Sequence, residues 1–508
     1  MAGLKTSLKM GVALPPLISL GGAPSQGGGV TPLGPTTATI SASATPGTLI
    51  AAITGLATGE EISTVTPNDG RLALDVTRRN LIVGLSAISA GTIASTLTTN
   101  MGRVLAMDVV IEGSAEKRMR PAAHSNFDFP TVVSSSLAGD NNASRYKYVN
   151  QSGRPITELC VQVAGWMYSA SQQFDAVDVL TKVGLEMPLG TKIATSVERL
   201  VVGGTTDILV ITGINIPTSG TFWINYRGVR QSAGAMAFAH TTSAPEKLAY
   251  QGTDATDYTV PGSPQQPVVT GIQRGMMAMS VLSNEVGNPI DCVSLFGDSI
   301  FRGLNASWAK EACIAAGIVP LQWSVSGSRL DQSLPALSKR VAAAKMAGTT
   351  IALTNYGIND IRNGRTAAQL QANWLTHWAN LKAQGFRVYQ YTITPNSTQT
   401  VVGADWSTAN QNPHPTFTPI INEVNDWLRD GAPIAGGVAV AAGTAGAIRV
   451  GSADHPLTGF WDYADVVSTA RNSGIFKDGY TNDGLHPFTL AAAALIPANT
   501  NFIQSIAA

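Results

Sequence analysis

Residues 292–299 read Cys-Val-Ser-Leu-Phe-Gly-Asp-Ser, an apolar run of strand length that ends in a tight polar turn. From about residue 286 to 508, further apolar runs alternate with helix-like segments. Because strands that alternate with helices form parallel sheets covered on both faces, this region is predicted to be a three-layer α/β/α domain. Strands are predicted at 292–296, 321–325, 350–354, 387–393 and 464–468, helices at about 300–316, 332–347, 366–384 and 417–429, and an insertion at 434–460.

The first 285 residues differ in character, with short apolar runs separated by Gly, Pro, Asn and Asp. Such punctuation is typical of β-strands joined by tight turns. We predict a Gly/Pro-rich N-terminal arm at 1–35, a small immunoglobulin- or cadherin-like β-sandwich at 36–112 and a β-rich, jelly-roll-like domain at 113–285. The chain is therefore predicted to be multidomain, with N-terminal all-β sandwich modules ahead of the α/β domain.

The charge balance argues against some classes of function. Among 508 residues, 33 Lys and Arg equal 33 Asp and Glu, so the net charge is zero. Proteins that bind nucleic acid carry a basic excess, so we expect no nucleic-acid partner. No run reaches the ~18 apolar residues of a membrane span, and none is expected. The cysteines are too few and too scattered for a disulfide framework or a zinc site: Cys160, Cys292 and Cys313.

The N-terminus superficially resembles a secretory signal, with Lys5 and Lys9 ahead of a mildly apolar stretch. Pro15 and Pro16 interrupt that stretch, which favours an arm that is not cleaved. A Gly/Pro-rich arm cannot build its own core. We therefore expect it to be held by neighbouring subunits of a homo-oligomer, or by other proteins of a virion or cell surface.

Four short motifs follow the predicted strands of the α/β region. They are Gly297-Asp298-Ser299, Gly327, Gly357-Ile358-Asn359-Asp360 and Asp483-Gly484-Leu485-His486. Each one alone is also an ordinary turn, a helix cap or a surface loop pair. Open parallel sheets bind ligands outside the carboxyl ends of their strands, which is where the motifs fall. Their joint occurrence predicts one site at that edge of the sheet.

The residue types in these motifs suit the hydrolysis of an ester through a serine. The hydroxyl of Ser299 is a weak nucleophile and needs a base within hydrogen-bond reach. Of the six histidines, His486 is the one with a carboxylate at hand after the last strand. Asp483 is expected to fix its tautomer while the other ring nitrogen takes the serine proton. The N–H groups of Ser299 and Gly327 and the amide of Asn359 are candidate donors to an oxyanion.

In this order, the motifs resemble the four sequence blocks of the SGNH, or GDSL-type, hydrolases over about 286–508. The first block continues with Ile300 where the eponymous form has Leu, a conservative difference. The last block, Asp-Gly-Leu-His-Pro, matches closely. The resemblance implies a flavodoxin-like α/β/α fold and serine-esterase activity that requires neither a metal nor another cofactor.

The resemblance also implies a role for each matching residue. Ser299 is the nucleophile, His486 the base and Asp483 the residue that orients the base. The oxyanion hole consists of the Ser299 N–H, the Gly327 N–H and the Asn359 side chain. The remaining motif residues support the two loops: Gly297, Asp298, Gly357 and Asp360.

The motifs do not choose among the lipases, thioesterases and carbohydrate acetylesterases of the family. The two β modules, with no amphipathic helix to form a lipase lid, favour an O-acetylesterase that acts on surface polysaccharide. The order of arm, β modules and esterase resembles that of phage tail fibres and tailspikes, so an extracellular or virion-associated setting is expected. Two alternatives stay open: a catalytically idle receptor- or glycan-binding structural protein, and a lipase or thioesterase.

Overall fold

The computed structural model describes most of the chain. It covers residues 32–41, 49–66, 72–74, 78–83, 91–112, 117–123, 135–136, 141–169, 172–235, 238–240, 248–252, 256–264, 274–276, 278–286, 292–303, 307–334 and 337–507. Of the predicted arm at 1–35, residues 1–31 lie outside this description. The chain forms two compact units, Met1–Glu116 with Val286–Asn288, and Lys117–Glu285 with Pro289–Ala508.

The first unit contains two β-sheets. They pair in the orders β1-β7-β6-β3 and β2-β5-β4, with β1 parallel to β7 and the other pairs antiparallel. Both sheets bury apolar side chains in one core, among them Ile50, Leu81, Leu97 and Val109. The immunoglobulin- or cadherin-like sandwich stays a prediction for this range. The strands are β1(Thr37–Ser41), β2(Leu49–Ala52), β3(Ile62–Thr66), β4(Leu72–Leu74), β5(Asn80–Val83), β6(Gly91–Thr99) and β7(Val104–Glu112).

The second unit begins with a β-rich part. Its larger sheets have the orders β15-β14-β18-β10-β21, with β16 also on β14, and β17-β11-β23-β8. Val161, Val183, Leu209 and Ile224 belong to the core that these strands share. The jelly-roll-like topology stays a prediction. The strands are β8(Lys117–Ala123), β9(Ser135–Ser136), β10(Asn141–Val149), β11(Ile156–Ala164), β12(Trp166–Ser169), β13(Gln172–Asp175), β14(Val179–Glu186), β15(Lys192–Thr195), β16(Arg199–Val201), β17(Thr206–Ile216), β18(Thr221–Arg230), β19(Gly234–Ala235), β20(Phe238–His240), β21(Leu248–Gly252), β22(Arg274–Met276) and β23(Ala278–Val286).

The remainder of the second unit is an α/β domain built on a parallel sheet. Its strands are β24(Val293–Phe296), β25(Leu321–Gln322), β26(Ile351–Thr354), β27(Arg387–Tyr391) and β32(Gly459–Trp461). They pair in the order β25-β24-β26-β27-β32, and every pair is parallel. If the five strands are numbered by their order along the chain, their order in the sheet is 2-1-3-4-5, which is the flavodoxin-like arrangement. Two short hairpins lie outside the sheet, β28(Ser397–Gln399) with β29(Gln411–Pro413) and β30(Ile434–Ala435) with β31(Val438–Ala439).

Helices cover both faces of this sheet, as predicted. Alternate residues of a strand point to opposite faces. In β27, the Gln390 side chain accepts a hydrogen bond from Trp378, whereas the rings of Tyr389 and Tyr391 pack against Phe502. Trp378 and Phe502 therefore lie on opposite faces. The helices are α1(Ser299–Arg302), α2(Trp308–Ala315), α3(Leu330–Ser333), α4(Leu337–Met346), α5(Ile358–Arg362), α6(Ala367–Ala383), α7(Phe417–Arg429), α8(Tyr463–Val467) and α9(Thr489–Ile506).

The long helix α6 shows how local signals set an element. Thr366 caps its start and forms a capping box with Gln369. Leu370, Trp374, Trp378 and Leu381 recur at three- and four-residue spacing, and all are buried. The prediction of a helix at 366–384 is confirmed to within one residue at each end.

Three local predictions are wrong. The run at 464–468 is not the fifth strand; it lies in α8, and the fifth strand is β32. Asp462 accepts a hydrogen bond from Asp465 N and starts that helix, a cap that outweighs the strand-like apolar run. The predicted helix at 300–316 is divided, because α1 ends at Gly303 with a φ of +79°. The predicted helix at 332–347 is likewise divided into α3 and α4.

The β-rich part and the α/β domain of the second unit share packing. Trp166, Cys160 and Leu282 belong to the same buried core as the α/β domain. Gln162, fully buried on β11, donates through Nε2 to the backbone oxygen of Ala343 in α4 at 2.8 Å. The domain divisions after residues 35, 112 and 285 stay predictions, but the last of them falls between parts that pack as one body.

Within the described residues, no helix is both long enough and apolar enough to cross a membrane. The same part of the chain contains no group of three or more His, Cys, Asp or Glu side chains placed to hold a metal ion. The three cysteines are buried.

Candidate active site

Ser299, His486 and Asp483 form one hydrogen-bonded chain beside the carboxyl end of β24. Ser299 Oγ lies 2.8 Å from His486 Nε2, and His486 Nδ1 lies 2.6 Å from Asp483 Oδ2. Ser299 is buried, whereas Asp483 is partly open to solvent. Because the carboxylate can only accept, Nδ1 carries the proton in the neutral ring, and Nε2 is left to accept from the serine hydroxyl.

Asn355 fixes the Gly-Asp-Ser turn that presents Ser299. Its Oδ1 accepts from Asp298 N at 3.2 Å, and its Nδ2 donates to Asp298 Oδ1 at 3.0 Å. A Cβ at Gly297 would lie 1.7 Å from Asn355 Oδ1, so only glycine leaves room for this amide. Asp298 then caps α1 by accepting from Ile300 N at 2.9 Å. Ser299 is thereby held as the first residue of α1, directly after the strand.

Asp298 is fully buried and connects two of the sequence motifs. Its Oδ2 accepts from Asn359 Nδ2 at 3.3 Å. Burial raises the pKa of Asp298 to about 6, although hydrogen bonds from Ile300 and Asn355 and the nearby His486 favour the ionised form. The proposed nucleophile loop and the Asn359 loop are therefore coupled through a carboxyl group that titrates near neutral pH.

The loop that carries His486 is folded around Thr481. Thr481 Oγ1 accepts from Gly484 N at 2.9 Å, and Asp483 Oδ1 accepts from Leu485 N and His486 N at 2.9 and 2.8 Å. Burial disfavours the ionised Asp483, but the hydrogen bonds from the His486 ring and from these N–H groups outweigh it. Together they lower the pKa of Asp483 to about 2. Asp483 is therefore a carboxylate at neutral pH, able to hold the imidazole in one orientation.

Gly484 lies against the segment that follows β27. Its oxygen accepts from Ser397 N at 2.9 Å, and its φ is +75°. A Cβ there would lie 2.3 Å from Ser397 O and 2.6 Å from the ring of Trp406. Both the backbone conformation and the close approach require glycine. The hairpin of β28 and β29 therefore supports the loop that carries His486.

The three predicted oxyanion donors lie on three neighbouring loops. Gly327 is exposed and has a φ of +73°. In the described part of the chain, the N–H groups of Ser299 and Gly327 have no backbone acceptor. Asn359 Nδ2 donates to Asp298 Oδ2 and to Ser328 O, both at 3.3 Å. These contacts are at the long end of hydrogen-bond geometry, so they leave the amide available to a stronger acceptor.

Asp360 supports the loop that contains Gly327. Its two oxygens accept from Leu330 N and Asp331 N, each at 3.2 Å, and so cap α3. Burial raises the pKa of Asp360 to about 6, against the effect of these two N–H groups. Gly357 has a φ of +143°, and a Cβ there would lie 2.6 Å from Ile393 Cδ1. The predicted supporting residues thus lie where they can hold the two loops.

Some residues of the site escape the sequence analysis. Asn355 and Thr481 hold the loops that carry Ser299 and His486. Asn425 binds both the N–H and the oxygen of Ile393 at 2.8 Å. Each is a polar residue at a strand end, in a loop or on a helix, a pattern too common to single it out.

Two other buried histidines, His377 and His455, contact the surrounding fold and not Ser299. His377 lies within α6, 3.2 Å from Thr354 Oγ1, and burial lowers its pKa to about 3. His455 contacts the backbone oxygens of Ala432 and Leu457 at 2.8 and 3.2 Å. Neither belongs to the hydrogen-bonded chain of Ser299.

Comparisons with known proteins yield structural neighbours. No family model and no curated protein matches the sequence. A GDSL-like lipase from Bacteroides thetaiotaomicron is 15% identical with a TM-score of 0.29, covering 44% of this chain and 93% of that chain. A lipase/acylhydrolase from Enterococcus faecalis is 17% identical with a TM-score of 0.27, covering 43% and 97%. A lipolytic G-D-S-L family member from Veillonella parvula is 12% identical with a TM-score of 0.27, covering 42% and 97%.

The architecture of the α/β domain is assigned from features of this chain, not from its structural neighbours. A parallel 2-1-3-4-5 sheet, a Gly-Asp-Ser turn after its first strand and a Ser–His–Asp chain occur together in residues 289–508. The α/β domain has the flavodoxin-like sheet order, and in its four motifs it resembles the SGNH/GDSL-type hydrolases. These features do not extend to the first 285 residues, whose likeness to tail-fibre modules stays a prediction.

Proposed function

We propose that residues 286–508 form a serine esterase that works through an acyl-enzyme. One observation carries the proposal: Ser299 Oγ, His486 and Asp483 are joined by contacts of 2.8 and 2.6 Å. A serine hydroxyl, a neutral imidazole and an ionised carboxylate in this order are the parts that nucleophilic acyl transfer requires.

The mechanism follows from this chain of contacts. Ser299 Oγ attacks the ester carbonyl carbon while His486 Nε2 takes the hydroxyl proton, and Asp483 stabilises the imidazolium that forms. The carbonyl oxygen becomes an oxyanion, which accepts from the N–H groups of Ser299 and Gly327 and the amide of Asn359. His486 then protonates the leaving alkoxide, and the C–O bond breaks to release an alcohol. A water molecule, deprotonated by His486, then attacks the carbonyl carbon of the acyl-enzyme. The bond to Ser299 Oγ breaks, His486 returns the proton to that oxygen, and the acid is released.

The first experiment measures hydrolysis of p-nitrophenyl acetate by the protein, by Ser299→Ala and by Ser505→Ala. Ser505 is exposed on α9 and donates only to the Phe502 backbone oxygen, so it is a matched control. We expect Ser299→Ala to lose about 10³-fold or more in kcat, and Ser505→Ala to keep the wild-type rate. Equal rates in the wild type and Ser299→Ala would refute the esterase. Labelling by a serine-reactive organophosphonate should fall on Ser299 and nowhere else.

Within this reaction class, we propose a carbohydrate O-acetylesterase that removes acetyl groups from surface polysaccharide. The β modules ahead of the enzyme support this substrate, because they suit a protein that docks on a large target. Acetate release from a panel of acetylated polysaccharides is the direct test. Release from none of them, with p-nitrophenyl acetate still hydrolysed, would contradict the substrate but not the esterase.

A lipase or thioesterase is the second candidate, because apolar side chains lie exposed next to the base. Phe488 and Leu490 lie two and four residues after His486 and are 38% and 57% exposed. Such surface suits an acyl chain longer than acetyl. Comparing p-nitrophenyl acetate with the octanoate separates the candidates: higher kcat/KM on the octanoate favours the lipase. The rival of an idle glycan-binding protein fails if any turnover depends on Ser299.

An extracellular or virion-associated homo-oligomer, held through the N-terminal arm, completes the proposal. The Gly/Pro-rich composition of 1–35 supports it. Light scattering on the full chain and on residues 36–508 would measure the subunit number of each. A monomeric full chain would contradict the oligomer.

A further inference from the structure

The three loops that carry the oxyanion donors also carry four arginines. Arg302 lies in α1 three residues after Ser299, and Arg329 lies two residues after Gly327. Arg362, the last residue of α5, lies three residues after Asn359, and Arg365 follows it closely. One helical turn separates Asn359 from Arg362, so the two positions are neighbours on the helix surface. This edge of the site is therefore rich in guanidinium groups.

The carboxylates on the same loops compensate only part of the charge of Arg329, Arg362 and Arg365. Asp298 and Asp360 are fully buried, and their oxygens accept from backbone N–H groups and side-chain amides. The third carboxylate, Asp331, is shared. Arg329 Nε donates to its Oδ1 at 3.0 Å, and Arg365 Nη2 donates to its Oδ2 at 2.6 Å. Two guanidinium groups share one carboxylate, so Arg329, Arg365 and Asp331 together carry an excess of positive charge.

Arg362 adds a further cation. Its side chain is exposed, and no ion pair to it occurs in the described residues. An exposed guanidinium has planar paired donors that suit a carboxylate of an incoming ligand.

Carboxylates accompany the segment that carries His486. Asp483 accepts from His486, and exposed Asp478 accepts from Thr408 N and Oγ1. Arginines therefore accompany the predicted oxyanion donors, and carboxylates accompany His486. Charges distributed in this way orient a ligand that has one charged end.

We propose that the arginines beside the oxyanion donors, Arg362 with Arg329 and Arg365, bind a carboxylate of the ester substrate. The inference rests on the proposed esterase and narrows its substrate to acetyl esters of carboxylate-bearing sugars, such as an acetylated acidic polysaccharide. The carboxylate occupies the arginine side while the scissile ester lies over Ser299. Arg302, which donates to Ser326 Oγ at 2.7 Å, holds the Gly327 loop in place.

The test uses two aryl acetates that differ only in the carboxylate, 3-acetoxy-4-nitrobenzoate and 2-nitrophenyl acetate. The ratio of their kcat/KM values is measured for the wild type, Arg362→Gln, Arg362→Glu and Arg449→Gln. Arg449 is an exposed arginine that donates to the Asp430 backbone oxygen beyond the end of α7, so it is the matched control. We expect the wild type to prefer the anionic ester. The preference should fall about two- to fivefold in Arg362→Gln, the scale of an exposed charge pair, and about tenfold in Arg362→Glu.

Salt gives a second measurement. Raising NaCl from about 0.05 M to about 0.5 M should reduce the preference in the wild type and leave the ratio of Arg362→Glu nearly constant. A wild-type ratio that is retained in Arg362→Glu overturns the inference, as does an equal loss in Arg449→Gln.

If the protein hydrolyses no ester, the proposed carboxylate site can still be tested. If neither acetate is hydrolysed, calorimetric titration with 3-hydroxy-4-nitrobenzoate and with 2-nitrophenol measures binding alone. Binding of the carboxylate that Arg362→Glu weakens supports the site although the esterase fails. Equal or absent binding of the two compounds overturns the site.

Discussion

Asp298→Asn should change how the stability of the protein depends on pH. Asp298 is fully buried, and burial raises its pKa from 3.8 to about 6. The folded protein therefore holds this proton more tightly than the unfolded chain does. The resulting stabilisation is complete below pH ~4 and is lost as the pH rises through about 6. An interval of about 2 pH units at about 1.4 kcal/mol per unit gives about 3 kcal/mol.

The asparagine variant cannot titrate at this position, so it lacks this contribution. Urea unfolding of the wild type and of Asp298→Asn, followed by tryptophan fluorescence between pH 4 and 8, gives the free energy of unfolding of each. The wild-type value minus the variant value should fall by about 3 kcal/mol across this range, because titrating groups that do not interact with Asp298 cancel in the difference. The offset at pH 4 reports the altered hydrogen bonds, since an amide cannot accept at both positions.

Asp405→Asn is the control for this experiment. Asp405 is exposed, and hydrogen bonds from the Ser407 and Asn410 side chains and from Ser407 N lower its pKa. A lowered pKa of a carboxyl group stabilises the fold above pH ~4, and this stabilisation is lost only at more acid pH. The free energy of unfolding of the wild type minus that of Asp405→Asn should therefore be constant between pH 4 and 8. A flat difference for Asp298→Asn as well would refute the reasoning.

Three further outcomes are expected. Asn359→Ala should lower kcat about 10²- to 10³-fold through the loss of one oxyanion donor, with KM little changed; a kcat within about twofold of the wild type would remove Asn359 from the oxyanion hole. Asp483→Asn should lower kcat by roughly 10⁴-fold, as in other Ser–His–Asp triads, because the amide favours the wrong imidazole tautomer. Stopped-flow assays near neutral pH measure this loss of kcat, and an unchanged rate would show that His486 needs no carboxylate. Residues 289–508 alone should unfold at a lower temperature than residues 117–508 and bind a hydrophobic dye, since Trp166 and its neighbours are missing from the core; equal melting temperatures would show that the α/β domain is independent.

Three of the four motifs could be placed from the sequence because each follows a strand of the parallel sheet, whereas the Asp483–His486 motif does not. Ser299 follows the buried strand β24 after a turn of two residues, and the carboxyl ends of parallel strands meet at one edge. The sequence pattern contains neither the strand order nor the hydrogen-bonded distances, and the family resemblance implies only the flavodoxin-like fold. The α6 helix was equally accessible, because Thr366 caps it and its apolar residues recur with helical spacing.

What the sequence did not reveal depends on partners distant in the chain. Asn355 meets Asp298 across 57 positions, and no local pattern couples them. The run at 464–468 is short and apolar, so only the Asp462 cap distinguishes a helix from a strand. The cluster of arginines beside the oxyanion donors is not evident in the sequence for the same reason. Arg329 and Arg365 are 36 positions apart, and both bind Asp331.

The contact between Ser397 and Gly484 has a consequence for enzyme engineering. The segment 397–413 follows the fourth strand, and it is an obvious target for libraries that aim to alter ester preference. Yet Ser397 N donates to the oxygen of Gly484, two residues before His486, the proposed base. Randomising the whole segment is therefore expected to displace His486, so that any change in ester preference would be accompanied by a change in turnover. A library that fixes Ser397 and Trp406 and varies only the hairpin tip, Val401 and Val402, separates the two traits.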